Sequence, residues 1–169
     1  TISQEIKLAK TYNDVIISID ENSNYKFNEF IFDVTVNPKP IDITWSIPTL
    51  IYNGQVQYLK TEYVAINGVI ENDEIGLSVS GSGKDASYQH QGSATITNTN
   101  YVFRDTNTAI TTTLFTINPK DITYNWNVDT YVYNGGHQSP YISFVGVIGE
   151  DTIDLEYQYS YNDNIVLET

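Results

Sequence analysis

Asn37-Pro38-Lys39-Pro40-Ile41-Asp42-Ile43-Thr44-Trp45, followed by Tyr52-Asn53-Gly54, is a stretch that the chain carries twice. It returns as Asn118-Pro119-Lys120-Asp121-Ile122-Thr123-Tyr124-Asn125-Trp126, followed by Tyr133-Asn134-Gly135, at an offset of 118 − 37 = 81 residues. In both copies the apolar side chains fall on alternate positions: Ile41, Ile43 and Trp45, then Ile122, Tyr124 and Trp126. A period of two is that of a strand with one buried face. The repeat therefore predicts an all-β chain in which like modules present the same face inward.

Downstream of each copy the match continues. Gly68-Val69-Ile70-Glu71-Asn72-Asp73-Glu74-Ile75 has its counterpart in Gly146-Val147-Ile148-Gly149-Glu150-Asp151-Thr152-Ile153, now offset by 146 − 68 = 78. The first copy thus holds three extra residues in the intervening loop, where insertions are tolerated. Asn53-Gly54 and Asn134-Gly135 predict tight hairpins, because Asn-Gly accepts positive φ. Gly81-Ser82-Gly83 reads as a turn, followed by a strand with Ala94 and Ile96 on its inner face. Upstream, Val15-Ile16-Ile17-Ser18-Ile19 reads as a strand, and Phe32, Val34 and Val36 fall in register with Thr113, Phe115 and Ile117. Asn24-Tyr25-Lys26-Phe27 echoes Asn100-Tyr101-Val102-Phe103.

These matches set a frame. Pro38, Pro40 and Pro119 lack a backbone donor and read as linker punctuation. Residues 38–118 then form one complete repeat unit, 1–37 the C-terminal part of another, and 119–169 the N-terminal part of a third. A boundary near Gly81-Ser82-Gly83 gives the alternative frame, 1–82 and 83–169. In a third arrangement, the N-terminal part of one chain completes the C-terminal part of another as a swapped oligomer.

Composition agrees with strands: 14 Tyr, no Met and 40% hydrophobic residues in a chain of 169. The formal charge of −13 repels phosphate backbones, so nucleic-acid binding is disfavoured. With no cysteine, disulfides and thiolate chemistry are excluded. No apolar run approaches the ~18 residues of a membrane span, so membrane insertion is not expected.

Candidate chemistry is sparse. His90 and His137 occupy non-equivalent positions of the repeat, and no nucleophile elbow or phosphate-cradling glycine loop is legible. Acidic turns recur, however. Asp73 and Glu74, with Glu150 and Asp151, offer hard oxygen ligands that would suit Ca²⁺ at a junction between units. A turn Asp that bonds its own backbone is the structural reading of the same residues. Tyr157, Tyr159 and Tyr161 form a one-sided stripe, read as core or as a sugar-stacking platform. Asp85-Ala86-Ser87-Tyr88 has the spacing of a tyrosine corner, whose hydroxyl would tie down a loop.

The order of motifs resembles the MBG (YGX-type) and related Ig-like repeats of large bacterial surface proteins. It runs from an extended strand through Tyr-Asn-Gly, Gly-Val-Ile-x-x-Asp and an Asn-Tyr pair to Phe-Thr-Ile-Asn-Pro-Lys. Tyr133-Asn134-Gly135-Gly136-His137-Gln138-Ser139-Pro140 is the closest local match. The resemblance implies tandem Ig-like β-sandwich units, with β-grasp-like repeats as the alternative. It implies a bacterial cell-surface or secreted location and a non-catalytic stalk or spacer of an adhesin. Neighbouring repeats would be the partners, and no catalytic residue carries over. Some Gram-positive surface domains join Lys to Asn or Asp, which raises the same question for Lys39 and Lys120. Two further expectations stand beside the spacer: a binding module for a host glycan or protein, and an accessory domain of a secreted enzyme.

Overall fold

The computed structural model describes residues 5–18, 25–26, 28–126, 130–136, 138 and 141–155. It divides into two compact units, Thr1–Lys120 and Asp121–Thr169. The described residues are all-β, with one 3₁₀ turn at Thr61–Tyr63. No α-helix occurs among them, so the helix of the β-grasp alternative is not found there.

The first unit contains β1 (Thr11–Ile17), β2 (Phe30–Thr35), β3 (Lys39–Trp45), β4 (Leu50–Ile51) and β5 (Gln57–Tyr58). It continues with β6 (Val64–Asn67), β7 (Ser78–Gly83), β8 (Ser87–Thr95), β9 (Tyr101–Phe103) and β10 (Ile110–Asn118). Three sheets result: β1-β2, β6-β3-β9 and β4-β10-β8-β7-β5. The larger two share a core. Ile41 of β3, Tyr101 and Phe103 of β9, Ala94 of β8 and Ile96 form one buried cluster. Leu59, Phe115 and Ile117 form a second. Trp45 and Val79 pack against both. Each fully buried large apolar side chain contributes about 1.5–3 kcal/mol.

The alternation read from sequence places these side chains correctly, but three local expectations are corrected. First, Pro40 does not break the ladder; it lies inside β3, opposite Val102 of β9. The reason is directional. Lys39 N–H donates to the Asn100 carbonyl (2.7 Å), and Arg104 N–H donates to the Ile41 carbonyl (2.9 Å). Odd-numbered residues of β3 therefore bond to β9, and the Pro40 nitrogen faces the other side, where pairing with β6 begins only at Asp42. The missing donor costs nothing there.

Second, Gly81-Ser82-Gly83 is not a turn but the end of β7. The glycines permit close approach. A Cβ on Gly81, whose φ is 143°, would stand 2.8 Å from both the Gln91 carbonyl oxygen and the Gly92 Cα. A Cβ on Gly83 would meet the His90 ring at 2.6 Å. Third, Asn53-Gly54 does not close a two-residue hairpin. β4 pairs with β10 and β5 with β7, while the Asn53 side chain accepts the Gln55 N–H at 2.9 Å. Only Gly54 has positive φ, 75°.

Residues 38–118 run lengthwise through their unit. β3 starts against Asn100, close to where β10 starts, since Ile96 N–H donates to Ala109 C=O and Ile110 pairs with Thr95. β10 ends beside Ile51, at the far end of its own length. The chain thus enters at one end and leaves at the other. Nine residues of β10 at ~3.3 Å each separate the two by about 30 Å.

The second unit holds β11 (Thr123–Trp126) and β12 (Ile142–Val145). Their register reproduces that of β3 and β6. Trp45 faces Val64 and Trp126 faces Ile142; Ile43 faces Ile66 and Tyr124 faces Phe144. The turn chemistry also repeats: Gly135 has φ 75°, and the Asn134 side chain accepts the Gly136 N–H at 2.9 Å. The tryptophans share strand neighbours but not cover. Trp45 is half-buried between two clusters, whereas Trp126 is 55% exposed. Trp45 packs against clusters that include Phe103, Phe115 and Ile117, and among the described residues Trp126 packs against neither cluster.

Two substitutions measure these constraints. Gly81→Ala should destabilise the chain by roughly 2–4 kcal/mol, through backbone clash and positive φ. Trp45→Ala should cost about 3 kcal/mol, and Trp126→Ala, in dilute solution, less than about 1. Urea unfolding of the three variants reads the ranking directly, and equal losses at the two tryptophans would contradict the difference in cover.

Candidate functional site

Within the first unit, a cleft of about 510 Å³ opens where the β1–β2 hairpin meets residues 38–118. Lys7, Lys39, Asn37, Asp73, Asn100 and Tyr101 contribute to its wall. At its floor is Tyr101, 1% exposed. β9 carries this ring inward, and a turn at residues 70–73 brings backbone and carboxylate to its hydroxyl. That turn is closed by Asp73 N–H donating to the Ile70 carbonyl (3.0 Å), with Asn72 at φ 68°. The Tyr101 hydroxyl donates to Asp73 Oδ2 and accepts the Ile70 N–H at 3.2 Å. The hydrogen bond to the Asp73 carboxylate, and then burial, raise the phenol above its ordinary value of 10.0.

Asn100 joins the two parts. Its side-chain oxygen accepts the Ala9 N–H at 2.7 Å, while its carbonyl accepts the Lys39 N–H, also at 2.7 Å. Its own N–H is held by the Asn98 side chain (3.0 Å). On the hairpin side, the Tyr12 hydroxyl accepts the Lys7 and Leu8 N–H groups at 3.0 and 2.8 Å and donates to the Leu8 carbonyl at 3.1 Å. A tyrosine that bonds backbone a few residues upstream is the geometry of a tyrosine corner. Tyr12 fills that role, and Tyr88 does not: it is 71% exposed. The Asp85 loop is instead held by His90, whose Nε2 donates to the Asp85 carbonyl at 2.7 Å while its ring leans on Phe115, 5.3 Å away. The Asp85 carbonyl is thus already taken by the imidazole, and the Tyr88 ring stands in solvent.

The sequence-derived metal candidates fall in both units. Asp73 sits in the cleft wall, engaged by Tyr101, with Glu74 next to it. Glu150 and Asp151 lie in the second unit, where Asp151 N–H donates to the Ile148 carbonyl at 3.1 Å, as Asp73 does to Ile70. In both turns the bond is made by the Asp backbone N–H, while the Asp73 carboxylate accepts from Tyr101. Among the described residues no three acidic or histidine side chains gather as a metal site. Lys39 is exposed at the start of β3. His137 and the stripe Tyr157, Tyr159 and Tyr161 lie outside the described residues.

Chemically, the arrangement is a clamp. Lys7 and Lys39 contribute to its wall, and the hydrogen bonds inside it tie backbone to backbone, backbone to side chain and, at Tyr101 and Asp73, side chain to side chain. Sequence reasoning does not single out Tyr12 or Asn100, although the Asn-Tyr pairs at 24–25 and 100–101 are a usable signal. Comparison of the chain with protein-family models, with curated proteins and with solved structures gives no match.

The raised Tyr101 pKa has a signed consequence. The protonated phenol is favoured in the folded state, so its stabilising contribution is complete below pH 10 and is lost as pH rises through the folded value. Thermal melts of the wild type should therefore fall above pH 10. Tyr101→Phe should lower the melting temperature at pH 7 and flatten that alkaline decline. An unchanged slope would show that Tyr101 is not the group responsible. A calorimetric Ca²⁺ titration should give no saturable heat if Asp73 serves the tyrosine; saturable binding abolished by Asp73→Asn would restore the calcium reading.

Proposed function

We propose that this chain is a segment of a bacterial cell-surface or secreted adhesin, built of tandem Ig-like repeat units, and that it acts as a spacer. One observation carries the reading: residues 38–118 take the chain in at one end and release it at the other, about 30 Å apart. A unit with that path lengthens the chain it belongs to by its own long dimension. The recurring strand registers support the modular part of the reading, because each unit adds length with little new information. The bond from the Ala9 N–H to the Asn100 side chain supports it too, since a spacer needs consecutive segments fixed against one another. Among the described residues no helix is long and apolar enough to cross a membrane.

A second reading is favoured by a specific feature. Tyr124, Tyr131, Val132, Tyr133 and Tyr141 are exposed in the second unit. Flat rings in that number suit stacking on sugar rings or on a protein partner. The two readings separate experimentally. In the protein that carries it, replacing residues 38–118 by an unrelated domain of equal end-to-end length should leave adhesion intact. The isolated chain should show no saturable binding on a glycan array or to host cells. Loss of adhesion on replacement, or saturable glycan binding weakened by Tyr133→Ala, would favour the binding module.

A further inference from the structure

We infer that two copies of this chain associate through the outer face of the five-stranded sheet, β4-β10-β8-β7-β5, packed face to face about a two-fold axis that passes beside Gln91 and Leu114. The association goes beyond the spacer reading and does not rest on it.

Charge singles out this face. The chain carries 21 acidic and 8 basic side chains among its 169 residues, and none of them stands on the five strands of this sheet. The neighbouring sheets of the same unit differ: β3 carries Lys39 and Asp42, and β1 and β2 carry Asp14 and Asp33. Two copies of a chain at −13 repel one another wherever their carboxylates meet. On the outer face of the large sheet they can touch without that repulsion. Alternation fixes which side chains lie there. Gly92 and Ala94 of β8 and Thr111 and Phe115 of β10 are buried, so Gln91, Ser93, Thr112 and Leu114 point outward. Ladder partners set them side by side: Ser80 faces Ser93, Ser93 faces Thr112, and Gln91 faces Leu114. The Ser80 and Ser93 hydroxyls already bond each other at 2.9 Å. A hydroxyl or a side-chain amide both donates and accepts. Such a surface satisfies its own image, as a two-fold contact demands, because the same groups meet from both sides. A surface of one charge cannot.

Shape gives the centre. A depression of about 240 Å³ on this sheet is lined by Gln91, Thr112, Thr113 and Leu114. Leu114 is itself 59% exposed. With the axis beside it, the Leu114 side chain of each copy enters the depression of the other. Ile110 of β10 and Tyr58 of β5, both exposed, add apolar surface towards the margins. The nine-residue strands β8 and β10 run ~30 Å, and five strands ~4.8 Å apart span ~20 Å, which gives a face of up to about 600 Å². That is the lower end of specific protein interfaces, so the contact is weak and reversible. It strengthens as salt screens the repulsion between the charges elsewhere on the two copies.

Sedimentation velocity on the full chain, from 1 to 300 µM at low and high salt, reads the association. The expected result is a concentration-dependent monomer–dimer equilibrium, with no larger species, that strengthens with salt. Gln91→Glu and Gln91→Lys, each checked for folding by circular dichroism, should each weaken the dimer at least about tenfold, because like charges then meet across the axis. An equimolar mixture of the two should recover it. The chain has no native cysteine. Gln91→Cys should therefore oxidise to a covalent dimer, whereas Thr44→Cys, exposed on the three-stranded sheet, should not. A wild-type monomer throughout the range would overturn the inference, as would a dimer that ignores both charged variants at Gln91. So would a monomer whose face instead binds a neutral polysaccharide, read as retardation in a dextran-containing gel that Gln91→Glu abolishes.

Discussion

The packing of Trp45 against two apolar clusters is the contact on which the first unit depends. One cluster draws on Ile41, Tyr101 and Phe103, the other on Phe115 and Ile117, and the indole touches both. A three-stranded and a five-stranded sheet are thereby held over a common interior. The aromatic body supplies large buried area, and the strand register of β3 against β6 supplies its aim. Strand register is unforgiving, since a slip of one residue would turn Ile41, Ile43 and Trp45 to solvent together. The same register in β11 and β12 puts Trp126 on the corresponding face. What differs is only what lies opposite.

The alternating pattern makes the inward face of β3, β8 and β10 legible from sequence. Period-two apolar residues have one physical solution when a single face is buried. The offset of 81 residues likewise carries over into matched hydrogen-bond registers. Turn chemistry is less legible. Asn-Gly pairs are compatible with several turns, and the partners that decide among them, β10 for β4 and β7 for β5, are distant in sequence. Pro40 misleads because a strand paired on one side tolerates a missing donor on the other, a fact about neighbours and not about proline. Gly81 and Gly83 mislead for a related reason. Glycine marks close backbone approach as readily as it marks a bend. Tyr88 has the spacing of a corner, yet Tyr12 has the geometry, since a corner needs a backbone strand folded back beside the ring.

The cleft between hairpin and β3 shows how polar groups set a junction where apolar area is scarce. Asn100 accepts from Ala9 on one side and from Lys39 on the other, and its own N–H is held by Asn98. Tyr101 does for the adjoining turn what Asn100 does for the chain path. Such networks are directional, and directional contacts fix an angle better than a hydrophobic patch of the same size.

One further consequence lies in the direction of the strands. β3 enters at one end of its unit, β10 departs at the other, and both run the same way along it. β3 lies parallel to β9, and the tail of β10 lies parallel to β4. A tensile load applied through the chain therefore pulls β3 and β10 lengthwise past their neighbours. Bonds loaded in shear must rupture as a group, whereas bonds loaded like a zipper part singly. The topology thus gives the unit mechanical toughness out of proportion to its modest core.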